Sequence, residues 1–269
     1  MPLAVCATPI GNLDDVTLRV LRELSEAELV LCEDTRHTGG LLARHGIDAR
    51  LLSYHEHNEA KRTAELLPRL EAGARVALVS DAGMPGISDP GARLVAAALD
   101  AGIPVTVLPG PSAVETALVA SGLAGERYLF LGYLPRKPGA LAALWEELAG
   151  WPATAVAFES PRRLPASLAS LADALPERPV AVCRELTKRF EEVVRGSALE
   201  VAARFQDPPK GEITLVIGAA ADAALDPRSG DAVAAVSELV AAGIARGRAA
   251  ELVARLTGVA RNELYRGSL

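Results

Sequence analysis

The sequence predicts an α/β protein in which two α/β domains face each other across a ligand cleft, followed by a small C-terminal helical extension. Three observations carry this. Short apolar runs of β-type residues alternate with helical patterns, as expected for a mainly parallel sheet covered by helices. From about Tyr128 the texture changes: apolar runs at 180–184 and 191–194 lie too close together for a crossover and predict an antiparallel hairpin. Residues 219–230 hold Ala, Asp, Pro, Ser and Gly without a large apolar run, and read as a linker to short helices. The predicted units are 1–122, 123–222 and 231–269, the first two joined near 121–127.

Taken in order, 3–7 opens the chain as a buried strand. Residues 16–24 place apolar side chains at 16, 20, 21 and 24, a helical spacing, with Asp14 or Asp15 as the cap. Strands follow at 29–32, 76–80 and 105–108, and helices at 59–71 and 90–101. In the second unit, 128–133, 153–158, 180–184, 191–194 and 213–217 read as strands, with helices at 137–149 and 163–175. The extension reads as helices at 231–243, 248–257 and 261–266.

Half of the 269 residues are hydrophobic but only 4% are aromatic, so Ala, Leu and Val must fill the core. No apolar run approaches the ~18 residues of a membrane span. The start lacks a basic segment of the kind that opens a secretory signal. Cys6, Cys32 and Cys183 are widely spaced and fit buried, reduced thiols better than a metal site or a disulfide. A cytoplasmic, soluble protein is expected. The net charge of −6 argues against a nonspecific nucleic-acid coat, although binding depends on local patches. Arg136-Lys137, Arg162-Arg163 and Arg184/Lys188/Arg189 are local basic groups. Residues 245–269 carry five arginines against Glu251 and Glu263.

Loops at strand ends carry the chemistry. The most distinctive is 80–91, Ser-Asp-Ala-Gly-Met-Pro-Gly-Ile-Ser-Asp-Pro-Gly, with three glycines and two prolines. Glycine permits positive φ and close approach of a ligand, and proline rigidifies. The loop lacks both the dinucleotide fingerprint and the phosphate-cradling motif. Asp81 and Asp89 would repel phosphate and suit amines or hydroxyls. Three further strands run into Thr8-Pro9-Ile10-Gly11-Asn12, Glu33-Asp34-Thr35-Arg36 and Pro109-Gly110-Pro111-Ser112-Ala113. In a parallel sheet such loops converge on one edge, where open α/β sheets bind ligands. The second unit adds 133–137, 159–163 and 184–188, each after a strand.

These loops, in this order, resemble the tetrapyrrole methylase superfamily of S-adenosylmethionine-dependent methyltransferases. The wording at 7–15, Cys-Glu-Asp-Thr-Arg (32–36), Ser-Tyr-His-Glu-His-Asn-Glu (53–59) and 80–91 is similar, more narrowly, to the ribosomal RNA small-subunit methyltransferase I family. Leu-Pro-Arg-Lys (134–137), Glu-Ser-Pro-Arg-Arg (159–163), Arg-Glu-Leu-Thr-Lys (184–188), Lys-Gly-Glu-Ile (210–213) and Arg-Asn-Glu-Leu-Tyr (261–265) match as well. Met84 departs from the pattern, which expects a small polar residue there. The resemblance implies two domains of the tetrapyrrole methylase type, a homodimer, and S-adenosyl-L-methionine held in the cleft between the domains. It implies 2′-O-methylation of a cytidine ribose in the decoding region of 16S rRNA. By position it implies cofactor contacts at Pro9, Asp81, Ala82, Gly83, Met84, Ser112, Ala113 and Leu134, with Leu134 and Ala113 as apolar walls.

A ribose hydroxyl is a poor nucleophile, so a general base helps its attack. The candidates are Asp34, Glu185, Lys188 and His55 or His57. Each has a plainer reading: Asp34 pairs with Arg36 to hold a loop, Glu185 and Lys188 form a surface pair, and the histidines sit at a strand end. No further metal ligands are placed beside them. Arg36, His55, His57, Arg136, Lys137, Arg162 and Arg163 are the candidate RNA contacts, since arginine grips phosphate with two parallel bonds. The extension is expected to help grip RNA. A tetrapyrrole methyltransferase and a non-catalytic RNA-binding module are the competing readings, separated by porphyrinoid methylation and by cofactor binding respectively.

Overall fold

The computed structural model describes residues 2–220 and 227–268. The first sheet is wholly parallel in the order β3-β2-β4-β1-β5, built from β1 (Leu3–Cys6), β2 (Leu29–Cys32), β3 (Leu51–Ser53), β4 (Val76–Leu78) and β5 (Val105–Leu108). Residues Leu3–Cys6, Leu29–Cys32 and Val76–Leu78 are buried throughout, as strands covered on both faces must be. Helices α1 (Leu18–Glu26), α2 (Thr35–Arg44), α3 (Glu59–Glu71) and α4 (Ala92–Asp100) supply the crossovers, and α5 (Ala113–Ser121) leads on to the second sheet and packs against it.

The second sheet is mixed, in the order β6-β7-β10-β8-β9: β6 (Tyr128–Tyr133), β7 (Thr154–Glu159), β8 (Pro179–Arg184), β9 (Glu192–Ser197) and β10 (Ile213–Ile217). β6 and β7 run parallel, joined through α6 (Pro138–Ala149). β8 and β9 form the expected antiparallel hairpin, with Val182 opposite Val194. α7 (Leu164–Ala174) and α8 (Ala198–Arg204) pack on a core that includes Trp145, Leu168 and Leu215. α9 (Pro227–Ala241), α10 (Arg246–Thr257) and α11 (Arg261–Gly267) close around their own small core of Val236, Ala250 and Leu264.

Local chemistry corrects one boundary. The first helix begins after Thr17, whose hydroxyl accepts the Val20 amide at 3.2 Å. Asp14 and Asp15 sit instead in a short 3-10 turn capped by Asn12. Thr17 wins because its side chain, not theirs, sits where an N-cap oxygen reaches the third amide of the helix. β3, α2, α5 and α8 are short or weakly patterned and are not among the elements the sequence predicts. The centre of the expected linker, 221–226, lies outside the described residues, and 227–230 already belong to α9.

All three cysteines are buried and free. Burial pushes the Cys6 thiol up to about 12 and Cys183 to about 11, so neither is a ready nucleophile. Among the described residues no helix is long and apolar enough to cross a membrane.

Candidate functional site

The loops after β1, β4 and β5 meet the loops after β6, β7 and β8 across a cleft of about 570 Å³. That is within the range of small-molecule sites. Ile10, Met84, Val114, Phe158 and Leu186 give it apolar walls. Its charged lining is acidic, with Asp81, Asp89, Glu159 and Glu212, and no Lys or Arg among the lining residues. A ligand with apolar parts and a cationic centre suits such a wall.

The 80–91 loop is held by its own backbone. Thr8 and Gly83 exchange both amide–carbonyl bonds, at 2.9 and 3.1 Å, so Gly83 joins two loops rather than leaving its backbone for a ligand. The Thr8 hydroxyl donates to the Ser80 carbonyl at 3.0 Å. Further on, the Gly86 amide donates to the Pro90 carbonyl at 3.2 Å, and Glu59 Oε1 accepts the Gly91 amide at 3.1 Å. Gly91 has φ +139°, and a Cβ there would lie 2.9 Å from Leu78 Cδ2. Only glycine fits. Ser88, at φ +60°, holds a left-handed conformation without being glycine.

Of the residues the resemblance assigns to the cofactor, Asp81, Ala82, Gly83, Met84, Ser112 and Ala113 lie on the cleft wall. Ser112 precedes α5 without capping it; its hydroxyl bonds Glu115 instead. Ser112, Ala113 and Val114, at the start of α5, line the cleft. Pro9 is buried and off the wall, and its neighbour Ile10 lines the cleft. Leu134 is corrected: its side chain is 1% exposed in the core around Trp145, because β6 turns it inward. Its neighbour Tyr133 reaches the cleft in its place.

Of the candidate bases, Asp34, Glu185 and Lys188 are all engaged. Asp34 caps α2, accepting the Arg36 amide at 2.8 Å, and pairs with the Arg36 guanidinium at 2.7 Å. Those Arg36 bonds hold its carboxyl well below the usual carboxylate range. Glu185 accepts from Lys188 Nζ at 2.9 Å and from the Glu212 amide at 3.0 Å, and the Lys188 bond keeps it ionised. Burial opposes the charge on Lys188, but its bonds to Glu212 and Glu185 win and raise it, so it is a held ammonium and not a base.

Asp34 and Arg36 line a second, open cavity of about 550 Å³ with Glu33, His55 and His57. Asp81 borders both cavities, and its Oδ1 accepts the Asp34 amide at 3.1 Å. The histidines lie beyond the end of β3, their rings edge-to-face at 5.9 Å. Asn58 holds His55 through its backbone amide at 2.9 Å and its ring at 3.1 Å.

Arg136, Lys137 and Arg162 are exposed where β6 and β7 end side by side. Arg163 is corrected: its guanidinium donates to the Leu134 and Pro135 carbonyls and pairs with the buried Glu159. Glu159 also accepts from the Ser167 hydroxyl at 2.5 Å and the Ser160 amide. Arg163 is thus a clamp between the two loops and is not free for phosphate.

Two carboxylates at the site, Asp89 and Glu33, are not among the catalytic or cofactor residues expected from the sequence, although Asp89 is noted there as suiting amines or hydroxyls. Burial beside Glu33 pushes the Asp89 carboxyl up to about 6. Burial, then Asp81, raises Glu33. Asp89 is visible in its loop, but its acidic neighbour Glu33 comes from a different strand end.

A model of the "Tetrapyrrole (Corrin/Porphyrin) Methylases" matches residues 2–202. A ribosomal RNA small subunit methyltransferase I from Mesorhizobium japonicum is 46% identical, over 98% of this chain and 90% of its own. The chain belongs to the ribosomal RNA small subunit methyltransferase I family of tetrapyrrole methylases. A member from Synechocystis is 43% identical, over 99% of this chain and 97% of its own. The fold agrees with that of uroporphyrin-III C-methyltransferase from Thermus thermophilus, solved with S-adenosyl homocysteine: TM-score 0.56, 21% identity, 80% of this chain and 96% of that one. The α/β architecture with two sheets is that of the tetrapyrrole methylases, and the helices α9 to α11 follow the matched segment.

Proposed function

We propose that this protein transfers a methyl group from S-adenosylmethionine to the ribose 2′-hydroxyl of a cytidine in 16S rRNA of the small ribosomal subunit. The observation that carries it is the cleft: six residues assigned to the cofactor from sequence lie on one wall of a cavity with acidic and apolar lining and no basic side chain. The cofactor bears a sulfonium and an ammonium, which the acidic side of the cleft at Asp81 favours electrostatically, and apolar parts that Ile10, Met84 and Leu186 can cover. The start of α5 at the cleft, a helix N-terminus, suits its carboxylate. When bound, it supplies an electrophilic methyl group. The chain's own part is to fix donor and acceptor in line, which in ideal cases removes roughly 7–11 kcal/mol of barrier.

In this reading Arg36, His55, His57, Arg136, Lys137 and Arg162 meet the RNA. The units are 1–122, 123–222 and 231–269, and the protein acts in the cytoplasm. Pro9 and Leu134 support the cofactor loops from behind. Asp34, Glu185 and Lys188 order the loops around the acceptor through their ion pairs. A homodimer accords with the edge strand β5, whose Val107 is 54% exposed, and with Val119 on α5 at 75%. A porphyrinoid substrate is disfavoured because the relatives at 43–46% identity are named for ribosomal RNA.

Mass spectrometry of 16S rRNA from cells lacking the protein is expected to show one 2′-O-methylcytidine missing. An unchanged inventory of 2′-O-methyl groups would refute the reading. Removal of the helical extension is expected to weaken RNA binding at least about tenfold while calorimetry shows cofactor binding intact. The cut belongs before 227, where α9 begins. Unaltered RNA methylation by the shortened chain would exclude a role for these helices.

A further inference from the structure

We propose that Asp89 is the general base of the transfer, accepting the proton of the ribose hydroxyl on its carboxylate; this rests on the function proposed above. Four carboxylates line the cleft. Glu159 is tied to Arg163, Ser160 and Ser167. Glu212 is paired with Lys188 at 2.9 Å. Asp81 accepts the Asp34 amide at the border with the second cavity. Asp89 alone of the four has neither a salt bridge nor a backbone donor among the described residues. Its polar support is the Ser80 hydroxyl, whose single proton is also directed at the Ala82 and Gly83 carbonyls.

The backbone around this carboxylate is tightly constrained. Ser88, immediately before it, holds φ +60°, and Gly86 and Gly91 on either side hold φ +84° and +139°. The Gly86–Pro90 bond and the Glu59–Gly91 bond close the loop around it. A non-glycine residue kept in the left-handed region is strain that the surroundings must maintain, a pattern found at active sites. The groups facing Asp89 are Glu33 from the loop after β2, Asp81 from its own loop, and Tyr133 at the end of β6. No cation is among them.

The proton step balances. The hydroxyl oxygen forms the new C–O bond as the methyl–sulfur bond breaks and its electron pair stays on sulfur. The hydroxyl proton passes to an Asp89 carboxylate oxygen and leaves to solvent after release. A carboxyl raised from 3.8 to about 6 by burial is ionised at neutral pH, yet more basic than an exposed aspartate.

The sign for stability follows from the same shift. The folded protein binds this proton more tightly than the unfolded chain does. Stability present below about pH 4 is therefore lost as pH rises through about 6. Asp89→Asn is expected to raise Tm at pH 8, the gain vanishing below pH 4. A carboxyl NMR titration of the unloaded protein should show a step near pH 6 that Asp89→Asn removes.

With cofactor and small-subunit rRNA, Asp89→Asn is expected to bind the cofactor within about threefold of wild type and to lose about 10²–10⁴-fold in single-turnover methyl transfer. The acid limb of the wild-type rate near pH 6 should disappear. Asp89→Glu should keep part of the rate with a displaced limb. An Asp89→Asn protein that methylates at the wild-type rate would overturn the proposal. So would one whose rate falls only in proportion to lost cofactor affinity, which makes Asp89 a donor contact. A wild-type protein that methylates no small-subunit rRNA would overturn the underlying function itself, and that result is distinguishable from an active Asp89→Asn variant.

Discussion

Gly11→Ala is expected to raise the dissociation constant for S-adenosylmethionine at least about tenfold while leaving secondary structure intact by circular dichroism. Gly11 lies where the loop after β1 crosses the β8–β9 hairpin loop. A Cβ there would sit 2.5 Å from Lys188 Cγ, 2.7 Å from Thr187 Oγ1 and 2.9 Å from the Leu186 carbonyl oxygen. None of these yields easily. Lys188 is pinned through Nζ to Glu185 and Glu212. Thr187 is at φ +65°, and its hydroxyl accepts the Asn12 amide at 2.9 Å. Leu186 contributes backbone, which moves only with the loop. The methyl must push the loops apart, and Ile10 and Leu186, which face the cleft from the two sides, move with them. Overpacking of this kind costs about 1–3 kcal/mol. Gly40, where an added methyl would meet nothing within 4 Å, is the control; Gly40→Ala on α2 should leave cofactor binding unchanged. Equal calorimetric affinities for the Gly11→Ala and wild-type proteins would show that this contact does not shape the site.

Arg163→Ala is expected to cost about 3 kcal/mol of stability, read as a lower midpoint in urea. Glu159 is 2% exposed, and Arg163 is the cation that offsets its charge. Removing the arginine leaves a buried carboxylate with only the Ser160 and Ser167 donors. It also frees the Leu134 and Pro135 carbonyls that the guanidinium holds. Adding Glu159→Gln removes the stranded charge, so the double variant should recover part of the loss. Arg162→Ala makes the contrast: that side chain is exposed, so RNA affinity should fall with the midpoint unchanged. If Arg163→Ala instead keeps its stability and loses only RNA affinity, Arg163 belongs to the RNA surface.

Those adjacent arginines show where sequence reading stops. Arg162 and Arg163 are the same residue type in the same motif, and nothing local separates a phosphate contact from a clamp. The difference comes from Glu159, whose side chain is turned into the core. The same holds for the base. Asp34, Glu185 and Lys188 suit a base by residue type, but each is held in an ion pair, Asp34 with Arg36 two residues on, and Lys188 with Glu185 and with Glu212 just before β10. Asp89 stands out only once burial and Glu33, brought from another strand, surround it.

By itself the sequence determined the alternation of strands and helices, the hairpin after β8 and the loops that bound the cleft. These follow from local periodicity and from glycine and proline chemistry, which act within a few residues. Only the tertiary structure decided which carboxylate is left without a cation, which arginine is committed to the core, and how closely Gly11 lets the two loops approach. Those properties depend on distances between segments far apart in the chain, and on the desolvation that packing imposes.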